Sequence, residues 1–283
     1  MIDGTTHLLA ILADPVAQTR TPALVNAELS ARGCNAALLP FHVDPAGLPE
    51  LVRGLRATKN FRGAVVTMPH KQAILPLLDD LTPAAAAVRA CNVIRRAAAD
   101  RMVGDMLDGA AVVRGLQRAG SPVDGRTVFL AGAGGAAAGI AFALAGQGVG
   151  RLRLYNRTAP RAEDLAARLR RTYPAVDVSV GPGRAHAREI AINATSVGMR
   201  PDDPPPFALA DTGVGATAVD MVVNPRSALA SLAEERGYRV IRGVEVLTVQ
   251  TGLLVDFMLA GAGTSTGIGA GTGAGTAGGH RGG

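Results

Sequence analysis

Aromatic side chains are scarce in this chain of 283 residues: Phe, Trp and Tyr together make up 3% of it, and Trp is absent. The core must therefore be built from Ala, Val, Leu and Ile, and the length suits one large domain or two modest ones. Only two cysteines occur, Cys34 and Cys91, too few for a disulfide framework or, without clustered His, for a metal site. No apolar run of about 18 residues is present and no basic-then-apolar segment follows Met1, so we expect a cytoplasmic protein without a membrane span or secretory signal.

Acidic residues are outnumbered by basic ones, and the formal net charge is +6. Such a charge raises nucleic acid as a partner. The arginines are spread along the chain, without a block of like charges and without interleaved aromatic residues, so we expect no nucleic-acid binding. A basic cleft for an acidic small molecule explains the same charge, as does a simple bias in composition.

Lysine is also rare, with only two copies in a chain rich in arginine. One of them, Lys71, ends the segment 65–71, V-V-T-M-P-H-K. An ammonium group can release its proton near neutral pH in a suitable environment, whereas a guanidinium group effectively cannot. Lys71 is therefore the first candidate for a general acid or base, and the alternative is a surface lysine without a role.

Short apolar segments that end at turn residues alternate with helical patterns, which predicts an α/β fold with parallel sheets. Thr21, which precedes Pro22, is the predicted N-cap of the first helix, and Gly33 its C-cap. The stretch 261–283 is Gly-rich with almost nothing apolar to bury, and we expect it to be disordered. The predicted strands are 7–13, 36–43, 63–68, a pair at 91–96 and 101–106, and those of a second alternating series from 127 to about 240; the other predicted helices include 45–57, 108–119 and a final one at 247–259.

A glycine-rich turn follows the apolar strand 127–131 and leads directly into an apolar helix. Its sequence from Gly132 to Ala137, G-A-G-G-A-A, is the G-x-G-x-x-G/A pattern of dinucleotide-binding turns in the required context of strand, turn and helix. Gly132 allows the tight turn, Gly134 lets the backbone approach a pyrophosphate, and Ala137 allows close helix packing. Gly132, Gly134, Gly135 and Ala136 are the predicted cofactor contacts of this turn.

The strand that follows the glycine turn ends in residues that favour NADP over NAD. An NAD site places Asp or Glu at this point to bind the ribose 2′-hydroxyl, and this chain has none. Arg157, Thr158 and Arg161 instead offer cations and a hydroxyl, which suit a 2′-phosphate. We predict an NADP site that includes Asn156 with these three residues; the alternative is a solvated arginine on a surface turn.

Several separated motifs together resemble the shikimate dehydrogenase family over residues 7 to about 260. The resemblance implies an N-terminal open α/β substrate domain, 1–107, completed by 244–260, and an NADP-binding Rossmann domain, 108–243. The motifs are Thr67, Pro69 and Lys71 (V-T-x-P-x-K), Asn92 (G-A-V-N-T), Asp108 with Gly109 (N-T-D-G), the glycine turn, Asn156-Arg157-Thr158 with Arg161, Asn193-Ala194-Thr195-Ser196-Val197-Gly198-Met199, Asp220 with Asn224-Pro225, and Gly243 to Gln250.

The resemblance also implies roles for individual residues. Lys71 and Asp108 would be the catalytic proton relay; without the resemblance, Asp108 would be interpreted as the N-cap of the helix after it. His70 is interpreted as a solvated neighbour of Lys71, not as the base. Thr19, Thr21, Thr67, Asn92 and Gln250 would bind substrate, the two threonines near position 20 through its carboxylate; Thr195, Ser196, Val197, Met199 and Gly243 would bind the cofactor, with core packing as the alternative for Val197 and Met199.

Some positions depart from the family's usual pattern. Thr19 and Thr21 occupy positions where the family usually has serine. Apolar side chains occupy positions where the family usually has polar ones: Val65, 106–107 (Met and Leu) and Val223. Each lost hydrogen bond would weaken binding by roughly 0.5–1.5 kcal/mol. The sequence is therefore identified as a divergent member of the family.

The predicted function is NADP-dependent, reversible reduction of 3-dehydroshikimate or of a related carboxylated cyclic ketone. Two alternatives stay open: a quinate/shikimate dehydrogenase that uses NAD, and an NADP-binding sensor without turnover. The expected partners are a small carboxylated cyclic substrate and NADP, with no metal, nucleic acid or membrane, in a monomer or homodimer.

Overall fold

The fold is described from a computed structural model over residues 2–200, 202–211 and 215–260. The stretch 261–283, for which we predicted disorder, lies outside these residues. The described chain forms two six-stranded sheets with helices packed against them, which confirms the predicted two-domain α/β fold class. Within the same residues, no helix combines the length and apolar character needed to cross a membrane.

The first sheet contains six strands. Its elements in chain order are β1 (His7–Ala13), α1 (Thr21–Ala31), β2 (Ala36–His42), α2 (Leu48–Ala57), β3 (Phe61–Val66), β4 (Asp80–Leu81), α3 (Pro83–Val88), β5 (Val93–Arg96) and β6 (Met102–Asp105). The spatial order is β2-β1-β3-β5-β6-β4, with β1 parallel to both neighbours and β5 antiparallel to β3 and β6. The strand pair predicted at 91–96 and 101–106 is confirmed. Helix α3 was missed, although Thr82 before Pro83 is a readable start signal: Thr82 Oγ1 accepts from Ala85 N at 3.2 Å.

The second sheet is entirely parallel. The elements in this part of the chain are α4 (Asp108–Arg118), β7 (Thr127–Ala131), α5 (Gly135–Gly146), β8 (Arg151–Tyr155), α6 (Ala159–Thr172), β9 (Asp177–Val180), β10 (Arg184–Ala185), β11 (Ile190–Asn193), β12 (Ala208–Leu209), β13 (Thr217–Asp220), α7 (Ala228–Glu235), β14 (Arg239–Ile241) and α8 (Gly243–Leu259). The order is β14-β13-β11-β7-β8-β9, while β10 and β12 pair separately. Strand order reverses at β7, and open parallel sheets bind ligands outside the carboxyl ends of the strands at such a point.

Helix α8 crosses back to the first sheet. Leu254, Val255 and Met258 pack in one apolar cluster with residues of β1, β3 and α1. The helix begins at Gly243, four residues before the predicted start at 247, because Glu245 Oε2 accepts from Arg242 N at 2.7 Å and closes the first turn. The last described helix thus packs against the first sheet, although it follows the second sheet in the chain.

Two helix starts differ from the sequence-based expectation. Helix α1 begins at Thr21 itself, so the prediction of Thr21 as N-cap was wrong. The reason is that Arg20 already has helical backbone angles (φ −95°, ψ −12°), whereas a capping residue is normally extended. Helix α4 begins at Asp108 after Leu107 and has no side-chain cap either, so the carboxylate of Asp108 is free for other contacts.

Helices α4 and α5 pack closely against each other, and Met106, which follows the first sheet, joins this seam. A Cβ atom on Gly109 would collide with Gly139 O and would lie 2.5 Å from Ala143 Cβ. Met106 packs against Gly139 from the first domain, and Arg168 of α6 donates to Val88 O at 2.9 Å. This seam holds the start of α4 at a fixed position relative to the glycine turn.

Candidate active site

Asp108 is the centre of a buried polar cluster. Its Oδ2 accepts from Lys71 Nζ at 2.5 Å, and its Oδ1 accepts from Asn92 Nδ2 at 2.7 Å and from Gln250 Nε2 at 2.6 Å. Asp108 is 4% exposed, and the Lys71 side chain is 15% exposed. An ion pair this deeply buried needs further hydrogen bonds to offset its desolvation, and the two amides supply them. The structure thus joins four predicted site residues in one network.

Three segments of the first domain carry this network. Lys71 follows β3 across a short turn, and its backbone oxygen accepts from Cys91 N at 2.8 Å. Asn92, the next residue, places its Oδ1 where Leu107 N donates to it at 2.8 Å. Gln250 comes from α8, so the network closes only because that helix returns to the first sheet. The pairing β3–β5–β6 brings the segments of Lys71, Asn92 and Asp108 to the same edge of the sheet.

His70 does not fit its predicted place in solvent. Its side chain is completely buried, and Nε2 lies 2.8 Å from Val43 O. The interpretation as a solvated neighbour of Lys71 was therefore wrong. The ring anchors the turn before Lys71 to the chain that follows β2, so His70 supports the position of the lysine backbone.

The glycine turn lies directly against Lys71. Gly132 adopts φ +120°, which side chains rarely allow, and its N donates to Tyr155 O at 2.8 Å. A Cβ atom on Gly135, the first residue of α5, would lie 3.3 Å from Lys71 Cβ. The ammonium–carboxylate pair and the predicted pyrophosphate site are therefore neighbours. The backbone shape of this turn fits a dinucleotide, because its helix start presents free N–H groups to an anion.

The residues predicted to select NADP lie after β8, on one side of the glycine turn. Asn156 Nδ2 donates to Thr158 O at 2.9 Å and shapes the turn. Arg157, Thr158 and Arg161 are exposed. Within the part of the chain that the structure describes, neither Arg157 nor Arg161 has an ion-pair partner, so both guanidinium groups are free to bind a phosphate.

The loop that carries the predicted cofactor contacts Thr195, Ser196, Val197 and Met199 lies after β11, on the other side of the glycine turn. Thr195 uses its hydroxyl inside the loop: Oγ1 donates to Asn193 Oδ1 at 2.7 Å and accepts from Val197 N at 3.1 Å. Met199 is 42% exposed, which rules out core packing for it, and Ser196 is exposed. Val197 is half-buried. The loop therefore offers backbone and apolar surface more than free hydroxyls.

Asn193 and Asp220 organise this loop, and neither was among the predicted site residues. Both are buried, and Asn193 Nδ2 donates to Asp220 Oδ1 at 2.9 Å. Burial raises the pKa of the Asp220 carboxyl above its ordinary value. The available signal was a pair of polar residues at the ends of two buried strands.

The predicted carboxylate anchors lie around the start of α1. Thr19 Oγ1 donates to Val16 O at 2.7 Å, which leaves its oxygen able to accept only. Thr21 is buried and its hydroxyl has no partner among the described residues, so it remains a free donor. Thr67, half-buried after β3, lies on the same face of its segment as Val65 because side chains alternate along a strand.

The apolar departures from the family pattern do not share one location. Val65 and Leu107 belong to the cluster under α1 and α8. Met106 instead packs against Gly139 of α5. Met106 and Leu107 are neighbours after β6 but pack in different apolar clusters. Val223 is half-buried between β13 and α7.

Two further properties concern ligands. A Cβ atom on Gly243 would collide with Val222 O, so close packing explains this glycine. Among residues 2–200, 202–211 and 215–260, no group of three His, Cys, Asp or Glu side chains is arranged to hold a metal ion.

Comparison with known proteins adds the family context. Residues 11–94 match the family model "Shikimate dehydrogenase substrate binding domain", and residues 116–199 match "Shikimate / quinate 5-dehydrogenase". The chain is 38% identical to the shikimate dehydrogenase (NADP(+)) of Rubrobacter xylanophilus, over 88% of this chain and 89% of that protein. The corresponding protein of Moorella thermoacetica is also 38% identical, with 88% and 86% covered.

Solved structures show the same fold. A shikimate dehydrogenase in complex with NADP+ superimposes with a TM-score of 0.81 at 26% identity, with 92% of each chain covered. The ligand-free 5-ketofructose reductase of a Gluconobacter strain gives 0.81 at 27% identity, with 90% and 93% covered. The shikimate dehydrogenase of Thermus thermophilus in complex with NADP(H) and shikimate gives 0.76 at 27%, with 90% and 94% covered.

Proposed function

This chain belongs to the shikimate dehydrogenase family, and from that premise we propose that it reduces 3-dehydroshikimate reversibly with NADPH, using Lys71 and Asp108 as the proton relay. The observation that carries the proposal is the 2.5 Å contact of Lys71 Nζ with Asp108 Oδ2, beside the glycine turn. A sensor that only binds NADP needs no such pair. The arrangement fits an oxidoreductase that must deliver a proton next to a nicotinamide.

The proton chemistry follows from the buried pair. NADPH, when bound, supplies the hydride to the carbonyl carbon. The Lys71 ammonium then donates its proton to the carbonyl oxygen as negative charge develops there, and an alcohol forms. Asp108 holds the ammonium in place and stabilises its positive charge; in the reverse direction the neutral amine takes the hydroxyl proton.

Asn92 is proposed here to position Asp108 more than to bind a ring hydroxyl. Its Nδ2 donates to Asp108 Oδ1, its Oδ1 accepts from Leu107 N, and the residue is 2% exposed. Gln250 uses its Nε2 for Asp108, so its Oε1 is proposed to accept from the substrate. Thr67, which follows β3, is proposed to bind the substrate as well. Thr19 and Thr21, at the amino end of α1, are the proposed carboxylate anchors, since a helix start favours an anion.

A panel of substrates tests the function. Shikimate, quinate and related cyclic hydroxy acids are oxidised with NADP and, separately, with NAD, and kcat and KM are measured for each. We expect turnover of shikimate with NADP. Turnover of quinate with a clear preference for NAD would favour the second enzyme hypothesis. Tight NADP binding without turnover of any acid would favour the sensor.

The cofactor preference depends on Arg157. Arg157→Ala removes a charge-assisted hydrogen bond to the 2′-phosphate, so KM for NADPH is expected to rise about 10- to 100-fold. KM for NADH is expected to change less than about twofold. Arg114→Ala, at an exposed position on α4, is the matched control. An equal effect of Arg157→Ala on both cofactors would refute the assignment.

Val65 is the proposed apolar contact on the substrate. Val65→Asn restores an amide beside Thr67, so kcat/KM for shikimate is expected to rise about 2- to 10-fold, the value of one neutral hydrogen bond. The ratio of shikimate to quinate activity measures this without interference from a change in folded fraction. An unchanged ratio would place Val65 outside the substrate contact.

The oligomeric state, monomer or homodimer, the domain bounds and a cytoplasmic location stay predictions.

A further inference from the structure

Asp220 is the last residue of β13 and lies opposite Asn193, the last residue of β11. It is 2% exposed and accepts three hydrogen bonds: from Asn193 Nδ2 at 2.9 Å, from Val222 N at 3.1 Å and from Ser227 Oγ. A buried carboxylate costs free energy unless its bonds are fully made. The three donors satisfy the buried carboxylate, and Asp220 together with Asn193, Val222 and Ser227 is called the junction below.

Asn193 links Asp220 to the loop after β11 by hydrogen bonds to both. The residue is completely buried and all its polar groups are engaged. Its Oδ1 accepts from Thr195 N at 3.0 Å and from Thr195 Oγ1, while its Nδ2 donates to Val197 O at 3.0 Å as well as to Asp220. Without the carboxylate of Asp220, the amide of Asn193 would lose one partner and the orientation that fixes the loop.

The loop is placed to meet the nicotinamide half of the cofactor. Ala194 N donates to Ala131 O at 2.8 Å, and a Cβ atom on Gly132 would lie 2.8 Å from Ala194 O, so the loop borders the glycine turn. Its strand, β11, lies on the opposite side of β7 from β8, and Arg157 follows β8. A dinucleotide with its 2′-phosphate at Arg157 and its pyrophosphate at the turn therefore extends toward residues 194–199.

A second branch of the junction reaches α8. Val222 N donates to Asp220, and the backbone of Val222 packs directly on Gly243, the first residue of that helix. Helix α8 also carries Gln250, which donates to Asp108. The carboxylate of Asp220 is therefore connected both to the loop after β11, through Asn193, and to the start of α8, through Val222.

We propose that Asp220 is a positioning residue for hydride transfer: through Asn193 it sets the loop that receives the nicotinamide ring, without touching cofactor or substrate itself. The inference rests on the proposed NADP-dependent function. A purely structural role would instead weaken every ligand of the second domain together, because the whole sheet would be destabilised.

Two ligands separate these roles. NADP spans the turn and reaches the loop, whereas adenosine 2′,5′-bisphosphate fills only the Arg157 side. Asp220→Ala is expected to weaken NADP about tenfold, to lower kcat, and to leave the affinity for the bisphosphate within about twofold. Fluorescence of bound NADPH, which reports the surroundings of the nicotinamide ring, is expected to change as well.

Asp220→Asn is the conservative variant. Its Oδ1 still accepts from Asn193 and Val222, and its new amide donates to Ser227 Oγ. We expect it to recover NADP affinity to within about threefold of the wild type. Asp177→Asn, an exposed carboxylate paired with Arg151 on the same sheet, is the matched control and is expected to leave both ligands unchanged.

Equal loss of both ligands in Asp220→Ala, no loss of NADP, or no recovery in Asp220→Asn would each overturn the inference. If Asp220→Ala does not fold, Ser227→Ala takes its place, with a smaller but equally selective loss of NADP expected and an equal loss of both ligands contradicting. A wild-type protein that binds neither NADP nor NADPH would instead refute the proposed function before any variant is compared.

Discussion

Lys71→Ala is expected to lower kcat by at least about two orders of magnitude while NADP still binds. Among the described residues, Lys71 carries the one ammonium group in contact with Asp108, so the variant removes the group proposed to deliver the proton to the carbonyl oxygen. The glycine turn and Arg157 are untouched, so titration with NADPH is expected to give an affinity close to that of the wild type. Steady-state kinetics with shikimate and NADP measure the loss.

Two further lysine variants make this test specific. Lys59→Ala is the matched control, because it removes the other lysine of the chain, whose side chain is 85% exposed. It is expected to leave kcat unchanged. Lys71→Arg keeps the positive charge beside Asp108 but not the ability to exchange a proton, so it is expected to be nearly as impaired as Lys71→Ala. Full activity in Lys71→Ala would contradict the proposed proton relay. Full activity in Lys71→Arg would show that a positive charge beside Asp108 suffices for catalysis without proton exchange.

Gly109→Ala is expected to destabilise the protein by about 2–4 kcal/mol, which corresponds to a fall in Tm of roughly 5–15 °C. The added methyl group would meet the backbone oxygen of Gly139 and the side chain of Ala143, and neither is the end of a flexible chain. Helix α4 must therefore move away from α5. Because Asp108 is the residue before Gly109, the displacement is expected to reduce kcat as well.

Gly115→Ala is the control in the same helix. Gly115 is also buried in α4, but a Cβ atom there would meet only Ile241 Cγ2, at 3.9 Å. Alanine is a better helix former than glycine, so this variant is expected to be neutral or stabilising by up to about 1 kcal/mol. Thermal unfolding of both variants compares them directly. Equal Tm values for the two would contradict the close packing at the seam.

Local signals in the sequence identified the parts of the site that depend on short segments. The glycine turn could be predicted because strand, turn and helix follow one another without interruption, and Lys71 was conspicuous among arginines. The start of α8 and the buried state of His70 could not be predicted in this way. Both depend on a single contact, with Glu245 and with Val43 O respectively, that residue types do not specify.

The contacts of Lys71, Asn92 and Gln250 with Asp108 could not be predicted from local sequence signals. Gln250 is separated from Asp108 by 142 positions, and only the return of α8 to the first sheet joins them. The packing of Met106 was equally hidden, because its partner Gly139 lies on α5, far along the chain. Asp220 was recognised only as part of a motif, since its role arises from three donors that come from different segments.

Helix α8 also sets the order in which the molecule can be completed during synthesis. The nucleotide-binding sheet ends at Ile241, so every one of its strands precedes Gln250 in the order of synthesis. The first sheet, although translated earlier, still lacks the apolar cover provided by Leu254, Val255 and Met258. Neither the apolar cover of the first sheet nor the contact of Gln250 with Asp108 can therefore form until α8 has been synthesised.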